Sequence, residues 1–298
     1  MPIKEIKLDL APGLKKLEVN ARRDVLSRTL EGEWATVFKG RGIEFAGFRK
    51  YVYGDDASLI DWKASLRAKE TLVREFEDYK NFTVFFLFDV SDSMLFTSTE
   101  KLKCEYAAEM IYILADAINK AGDAIGLAMF TDKFISSVYP NIGVEVLKNI
   151  ESSLINPENY GGNLDFAKAM LMTKNFVNQK AVIIIISDFL GFKNGWDRYI
   201  KTMSDNYEMI GLMIKDPRDR EFPETGGQVL LKNPYNNENI YVDTKKFAKQ
   251  YKQKNLDQEK YVSDVFKKSK GDFLLLKTNE DYLEKLTTFF RRRGKRVE

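Results

Sequence analysis

Hydrophobic positions along this chain alternate between two textures. Short, nearly unbroken apolar runs give way to longer segments in which apolar residues recur every three or four places. The first texture is that of strands buried on both faces, and the second that of amphipathic helices. The densest run is Phe82-Thr-Val-Phe-Phe-Leu-Phe-Asp89, with Phe86 and Phe88 on one face and Phe85 and Leu87 on the other. It predicts a central strand covered on both sides. Ala181-Val-Ile-Ile-Ile-Ile-Ser187 predicts a second. Residues 124–130, 209–214 and 273–276 predict three more, and 134–138 reads as an antiparallel edge reached through the turn Thr131-Asp132-Lys133. Residues 228–231 and 240–242, around Asn233-Pro-Tyr-Asn-Asn, read as a hairpin.

Between these runs the spacing becomes helical. Leu102, Tyr106, Met110, Leu114 and Ile118 form one stripe at steps of four, and Thr97 with Glu100 has the spacing of a capping box. Helices are also predicted over 144–154, up to about 178, in the Lys-rich stretch after 242 and at the end of the chain. The alternation of strand and helix argues for an α/β domain with a doubly wound, mostly parallel sheet. The chain ahead of it differs. Residues 1–30 read as a basic amphipathic helix, with Leu14, Leu17, Val25 and Leu26 among Lys15, Lys16, Arg22 and Arg23. Residues 31–80 read as a small β-rich subdomain. Strands are expected at 34–38, 43–48 and 50–53, and a further alternating segment at 71–77. Trp62 is expected in its core. The main domain is then 81–290, followed by a basic tail, 291–298.

Composition narrows the chemistry. The chain has no histidine and one cysteine, Cys104. A Ser-His-Asp triad, His-ligated zinc, an internal disulfide and a Cys-x-x-Cys knuckle are therefore excluded. Cys104 falls within the predicted helix and reads as a small buried hydrophobe. A net charge of +3 implies no global attraction to nucleic acid or membrane. The apolar runs are too short to span a bilayer and no signal peptide is apparent, so a cytoplasmic location is expected. Carboxylates, hydroxyls, lysines or a bound metal remain.

The strongest candidate lies where the densest run ends, at Asp89-Val-Ser91-Asp-Ser93. In open α/β sheets, ligands sit beyond the carboxyl ends of the strands. The second doubly buried run also ends on a carboxylate, Asp188. Hard oxygens from Asp89, Ser91, Ser93 and Asp188 suit Mg²⁺ or Mn²⁺, and two carboxylates offset one divalent charge. The plain alternative is a strand-to-helix turn with capping hydroxyls. Asp55, Asp56 and Asp61 form an acidic cluster, read either as turn residues pairing with Arg49, Lys63 and Arg67 or as a second metal or partner site. Arg291, Arg292 and Arg293 open a basic run that reads as a solvated terminus or a grip for acidic partners, nucleic acid or anionic lipid.

The pattern Asp89-x-Ser91-x-Ser93 after a buried strand resembles the metal-ion-dependent adhesion site of the von Willebrand factor type A fold. The stretch from Gly42 to Arg67, including Arg49-Lys-Tyr-Val-Tyr-Gly-Asp-Asp56 and Asp61-Trp-Lys63, closely resembles the signature of the family catalogued as domain of unknown function 58. Asp216-Pro-Arg-Asp-Arg-Glu-Phe-Pro223 and Tyr241-Val-Asp-Thr244 also fit it. The resemblance implies a β-rich region fused to a type A domain, and a MoxR-type AAA+ ATPase as partner in an adaptor or chaperone role. It also implies a threonine ligand after a Gly-Gly pair. Here Gly161-Gly162 is followed by Asn163, with Asp165 as the rival ligand. The reading is a non-enzymatic interaction module. The alternatives are a metal-dependent phosphohydrolase using Asp89 and Asp188, and a nucleic-acid binder acting through the basic tail, for which no recognition motif is present.

Overall fold

The computed structural model describes residues 30–32, 34, 43–78, 82–177, 180–222, 228–232 and 239–294. The N-terminal helical segment, the segment 35–38 and the tail beyond 294 lie outside these residues. Trp34, expected in a strand, is in helical backbone. Its indole donates to Asp123 at 2.8 Å and its ring meets Phe290 edge-on.

Two strands, β1 (Ile43–Lys50) and β2 (Leu72–Asp78), form an antiparallel pair separate from the main sheet. A short helix, α1 (Trp62–Ala68), lies between them in sequence. Residues 51–53 do not form the expected strand. They enter a turn that Asp55 fastens by accepting from the Val52 amide at 2.9 Å. Trp62 is not a core residue either: it stands at the start of α1 and is 66% exposed.

The main sheet uses β3 (Thr83–Asp89), β4 (Ala124–Phe130), β5 (Phe134–Asn141), β6 (Val182–Ser187) and β7 (Glu208–Lys215). A separate hairpin, β8 (Gln228–Lys232) with β9 (Asn239–Asp243), precedes its last strand, β10 (Asp272–Lys277). The strand order is β10-β7-β6-β3-β4-β5, parallel throughout except for the antiparallel edge strand β5. This is the expected doubly wound, mostly parallel α/β architecture. Strand β3 is central, and every residue of it is buried.

Helices cover both faces. Val84, Phe86 and Phe88 pack under α2 (Lys103–Lys120), α3 (Val144–Ile155) and a later helix, while Phe85 and Leu87 pack under α4 (Phe166–Phe176) and α5 (Asp197–Met203). After a single turn, α6 (Pro217–Arg220), the long α7 (Thr244–Lys268) completes the second face and α8 (Tyr282–Gly294) the first. The predicted stripe of α2 is inward, with Tyr106, Met110, Leu114 and Ile118 all buried. Its start is later than expected. Thr97 and Glu100 do not cap it. The Thr97 hydroxyl donates to the Lys101 carbonyl at 2.7 Å and accepts from the Thr99 amide at 2.9 Å, closing a local turn. Glu105 supplies the cap, accepting from the Leu102 amide at 2.8 Å.

Close packing of α7 on the sheet depends on a missing side chain. A Cβ at Gly211 on β7 would stand 2.5 Å from the buried Phe266 ring. Gly211→Ala is therefore expected to cost about 1–3 kcal/mol through overpacking, read as a lowered urea midpoint.

Candidate metal centre

Three loops meet at the carboxyl edge of the sheet. The first leaves β3 at Asp89 and turns back through a short 3-10 segment, Asp92–Leu95. The second is the Gly161-Gly162 loop, laid directly against the first. Gly161 donates its amide to the Val90 carbonyl at 2.7 Å, and Gly162 donates to the Asp92 carboxylate at 2.7 Å. Both glycines have positive φ, 99° and 121°. That region disfavours any residue with a Cβ, which explains the Gly-Gly pair. The third loop leaves β6 at Asp188.

Asp89, Ser91 and Asp188 are fully buried and Ser93 almost so. Asp89 accepts from the Ser91 amide at 2.9 Å and from the Ser187 hydroxyl at 2.6 Å. The Ser91 and Ser93 hydroxyls share a 3.4 Å hydrogen bond. Ser93 then donates to Asp188 Oδ1 at 3.1 Å, closing the first loop onto the third. Four residues picked from the sequence thus form one hydrogen-bonded chain.

Asn163 and Asp165 do not join that chain. Asn163 is exposed and makes no side-chain hydrogen bond among the described residues. Asp165 caps α4 instead, accepting from the Lys168 amide at 3.2 Å, with Lys168 and Lys193 amines at 3.9 Å. The remaining candidates also serve local structure. Asp55 pairs doubly with Arg49, at 2.6 and 2.8 Å. Asp56 caps a 3-10 turn and Asp61 caps α1. Arg291, Arg292 and Arg293 lie in α8 rather than in a tail. Arg291 and Arg292 are exposed, whereas Arg293 is buried and pairs with Glu208 and Asp272.

The structure adds residues that the sequence reading missed. Lys103, at the first turn of α2, is completely buried, with its ammonium 2.7 Å from Asp188 Oδ2 and 2.8 Å from Asp219 Oδ2. Asp219 belongs to α6 and also accepts from the Asp216 amide at 3.1 Å. Asp216 is buried and takes hydrogen bonds from the Ser98 amide, at 2.7 Å, and the Ser98 hydroxyl. Lys215, also buried, donates to Gln258 at 2.8 Å, and Gln258 donates to the Phe189 carbonyl at 2.6 Å. A signal for Lys103 was present. It lies four, seven and eleven residues before Ala107, Met110 and Leu114, on the apolar stripe itself.

This environment separates the two carboxylates. Burial, reinforced by the charge of Asp188, pushes Asp89 up to about 7. Burial also acts to raise Asp188, but the ammonium groups of Lys103 and Lys215 outweigh it and hold the carboxyl below its ordinary value. For Lys103, burial is likewise outweighed by Asp188 and Asp219, so its proton is held more tightly than usual. Lys215 is moved the other way, downward, by burial.

The donor set suits a small hard cation. No group of three or more acidic, cysteine or histidine side chains with metal-holding geometry occurs among the described residues. The ligands this edge would offer a metal are two carboxylates and two hydroxyls, completed by water, a set that Mg²⁺ accepts. Charge points the same way. The buried aspartates 89, 188, 216 and 219 outnumber the buried lysines 103 and 215 by two when Asp89 is ionised.

The edge loops, buried acids and doubly wound sheet define an α/β protein with a buried polar site at the carboxyl edge of the sheet. The chain belongs to the family described as "Protein of unknown function DUF58", whose model matches residues 47–261. It is 26% identical over 225 residues to "Uncharacterized protein Rv1480" of Mycobacterium tuberculosis, covering 74% of this chain and 70% of that protein. The same figures hold for "Uncharacterized protein Mb1516" of Mycobacterium bovis. Among solved structures it is similar to the conserved hypothetical protein BatB from Bacteroides thetaiotaomicron, with 16% identity, 72% of this chain and 100% of that chain covered, and a TM-score of 0.45. It is also similar to a von Willebrand factor type A protein from Catenulispora acidiphila, with 12% identity, 74% and 43% covered, and a TM-score of 0.44. No described helix is long and apolar enough to cross a membrane.

Proposed function

We propose that this chain is a non-enzymatic interaction module that holds Mg²⁺ with Asp89, Ser91, Ser93 and Asp188 and docks a protein partner at that edge of the sheet. The observation that carries the reading is the burial of these four side chains in one hydrogen-bonded chain, Ser93 joining loops 95 residues apart at 3.1 Å. Bound there, the ion would supply an electrophilic anchor for a carboxylate of the partner. The chain's own groups position and polarise. Ser187 and the Ser91 amide orient Asp89, while Lys103 and the Leu190 amide orient Asp188. On this reading the partner is a MoxR-type AAA+ ATPase or its client, as the resemblance described above implies. The site works in the cytoplasm on this reading.

The test is a melting curve with magnesium against chelator. The parent is expected to gain stability with Mg²⁺, and Asp89→Asn to lose that response while remaining folded. Capture of a MoxR-type ATPase is expected with magnesium and not with chelator. Equal magnesium shifts in parent and variant overturn the metal assignment. Magnesium-dependent turnover of p-nitrophenyl phosphate that vanishes in Asp89→Asn overturns the non-enzymatic reading.

A further inference from the structure

Lys103 is an unusual residue to find on the apolar stripe of an 18-residue helix. Its side chain is 1% exposed, and it reaches no solvent that would relieve the cost of burying its charge. Its ammonium is instead aimed at the third loop of the candidate metal centre, where it occupies Asp188 Oδ2. The other oxygen of Asp188 faces the first loop through Ser93 and also accepts from the Leu190 amide at 2.9 Å. One carboxylate is thus shared between a fixed cation of this chain and the serine chain that reaches Asp89 through the Ser91 amide. Asp219 holds the ammonium from its other side, at 2.8 Å, and is anchored by the Asp216 amide.

We propose that Lys103 is a built-in counter-cation that keeps the divalent-ion affinity of the Asp89–Asp188 site low, with Asp219 setting how strongly it does so. The proposal rests on the metal reading above and concerns its regulation. Lys103 and a divalent ion are of like sign and draw on the charge of the same carboxylate, in a site where water does not screen them. Removing the ammonium leaves all of the charge of Asp188 to the metal. Removing the carboxylate of Asp219 leaves the ammonium less compensated and repels the metal further. The two substitutions therefore act with opposite sign, which a purely structural role for the pair would not produce.

The experiment titrates the full-length chain with Mn²⁺ followed by the free-ion EPR signal, and with Mg²⁺ followed by thermal shift. The metal-free melting temperature of each variant serves as the folding control. Lys103→Met is expected to tighten binding at least about tenfold, and Asp219→Asn to weaken it several-fold. The double variant is expected within about threefold of the parent, and Lys103→Arg, which keeps the charge, close to it. Should Lys103→Met not fold, the double variant binding at least about tenfold more tightly than Asp219→Asn carries the same sign. Folded Lys103→Met and Asp219→Asn variants that shift in the same direction, or not at all, overturn the counter-cation while leaving the metal site standing, provided Asp89→Asn abolishes the parent's response. No uptake of Mn²⁺ by any folded variant overturns both.

Discussion

Asp188→Ala is expected to destabilise the protein by about 3–5 kcal/mol in the complete absence of metal, measured as urea unfolding with chelator present. The substitution removes the carboxylate 2.7 Å from the Lys103 ammonium and leaves a fully buried charge with Asp219 alone. It also strips an acceptor from Ser93 and from the Leu190 amide. A carboxylate whose only role was to ligate a metal would show no such cost in chelator. The magnitude follows from breaking a buried pair on one side, where the surviving ion keeps its desolvation cost and loses its compensation. A change below about 1 kcal/mol would mean that Lys103 is not held as the geometry has it.

Asp89→Asn is expected to do the opposite. The Asp89 carboxyl is pushed up to about 7 from an ordinary value of 3.8, by burial first and then by Asp188. The folded protein therefore binds one more proton than the unfolded chain between these two values. Stability falls as pH rises from about 4 to about 7 and is flat in this contribution above that. The gap corresponds to at most about 4 kcal/mol, present in full above the upper value. In chelator at pH 8, the Asn variant is thus expected to be more stable than the parent, and its own stability to lack that decline between pH 4 and 7. Asp188, held below its ordinary value, contributes in the reverse sense: its stabilisation is present above the unfolded value and is lost as the solution is made more acid. Urea midpoints across pH 4–8 for both proteins test the sign. A parent whose stability rises over that window, with the variant following it, would contradict the burial of an unbalanced charge at Asp89.

The main sheet was legible because its strands are buried on both faces. In β3 and β6 no polar position interrupts the buried run, and its shortness with its aromatic and β-branched residues marks a strand rather than a buried helix. The antiparallel edge was equally readable from its turn. The small N-terminal unit was legible only in part: the strands expected at 43–48 and 71–77 are β1 and β2, whereas the one expected at 50–53 is absent. Trp62, a core aromatic by residue type, is exposed, because β1, β2 and α1 are too small an assembly to enclose an indole. At the metal centre, Asp89 and Asp188 could be picked out because each ends a buried strand, and the structure brings them together through Ser93. The charges that set their behaviour were hidden. Lys103, Asp219 and Lys215 reach the centre from a helix, a single turn and a strand end far apart in sequence, and only the fold supplies those distances. Thr97 and Glu100 misled for a local reason, since threonine hydroxyls close turns as readily as they cap helices.

Phe189, the residue directly after Asp188, has a φ of 54°. A bulky side chain seldom tolerates that backbone, which costs on the order of 1 kcal/mol or more. Its ring is nevertheless buried among Phe192, Trp196 and Phe266, in the core on the face opposite α2. Neighbouring residues of one loop are therefore clamped into separate layers, the acid by an amine above the sheet and the ring by aromatics below it. That loop behaves as a rivet, so a shift of α2 or α7 relative to the strands must either bend the rivet or move the carboxylate with it.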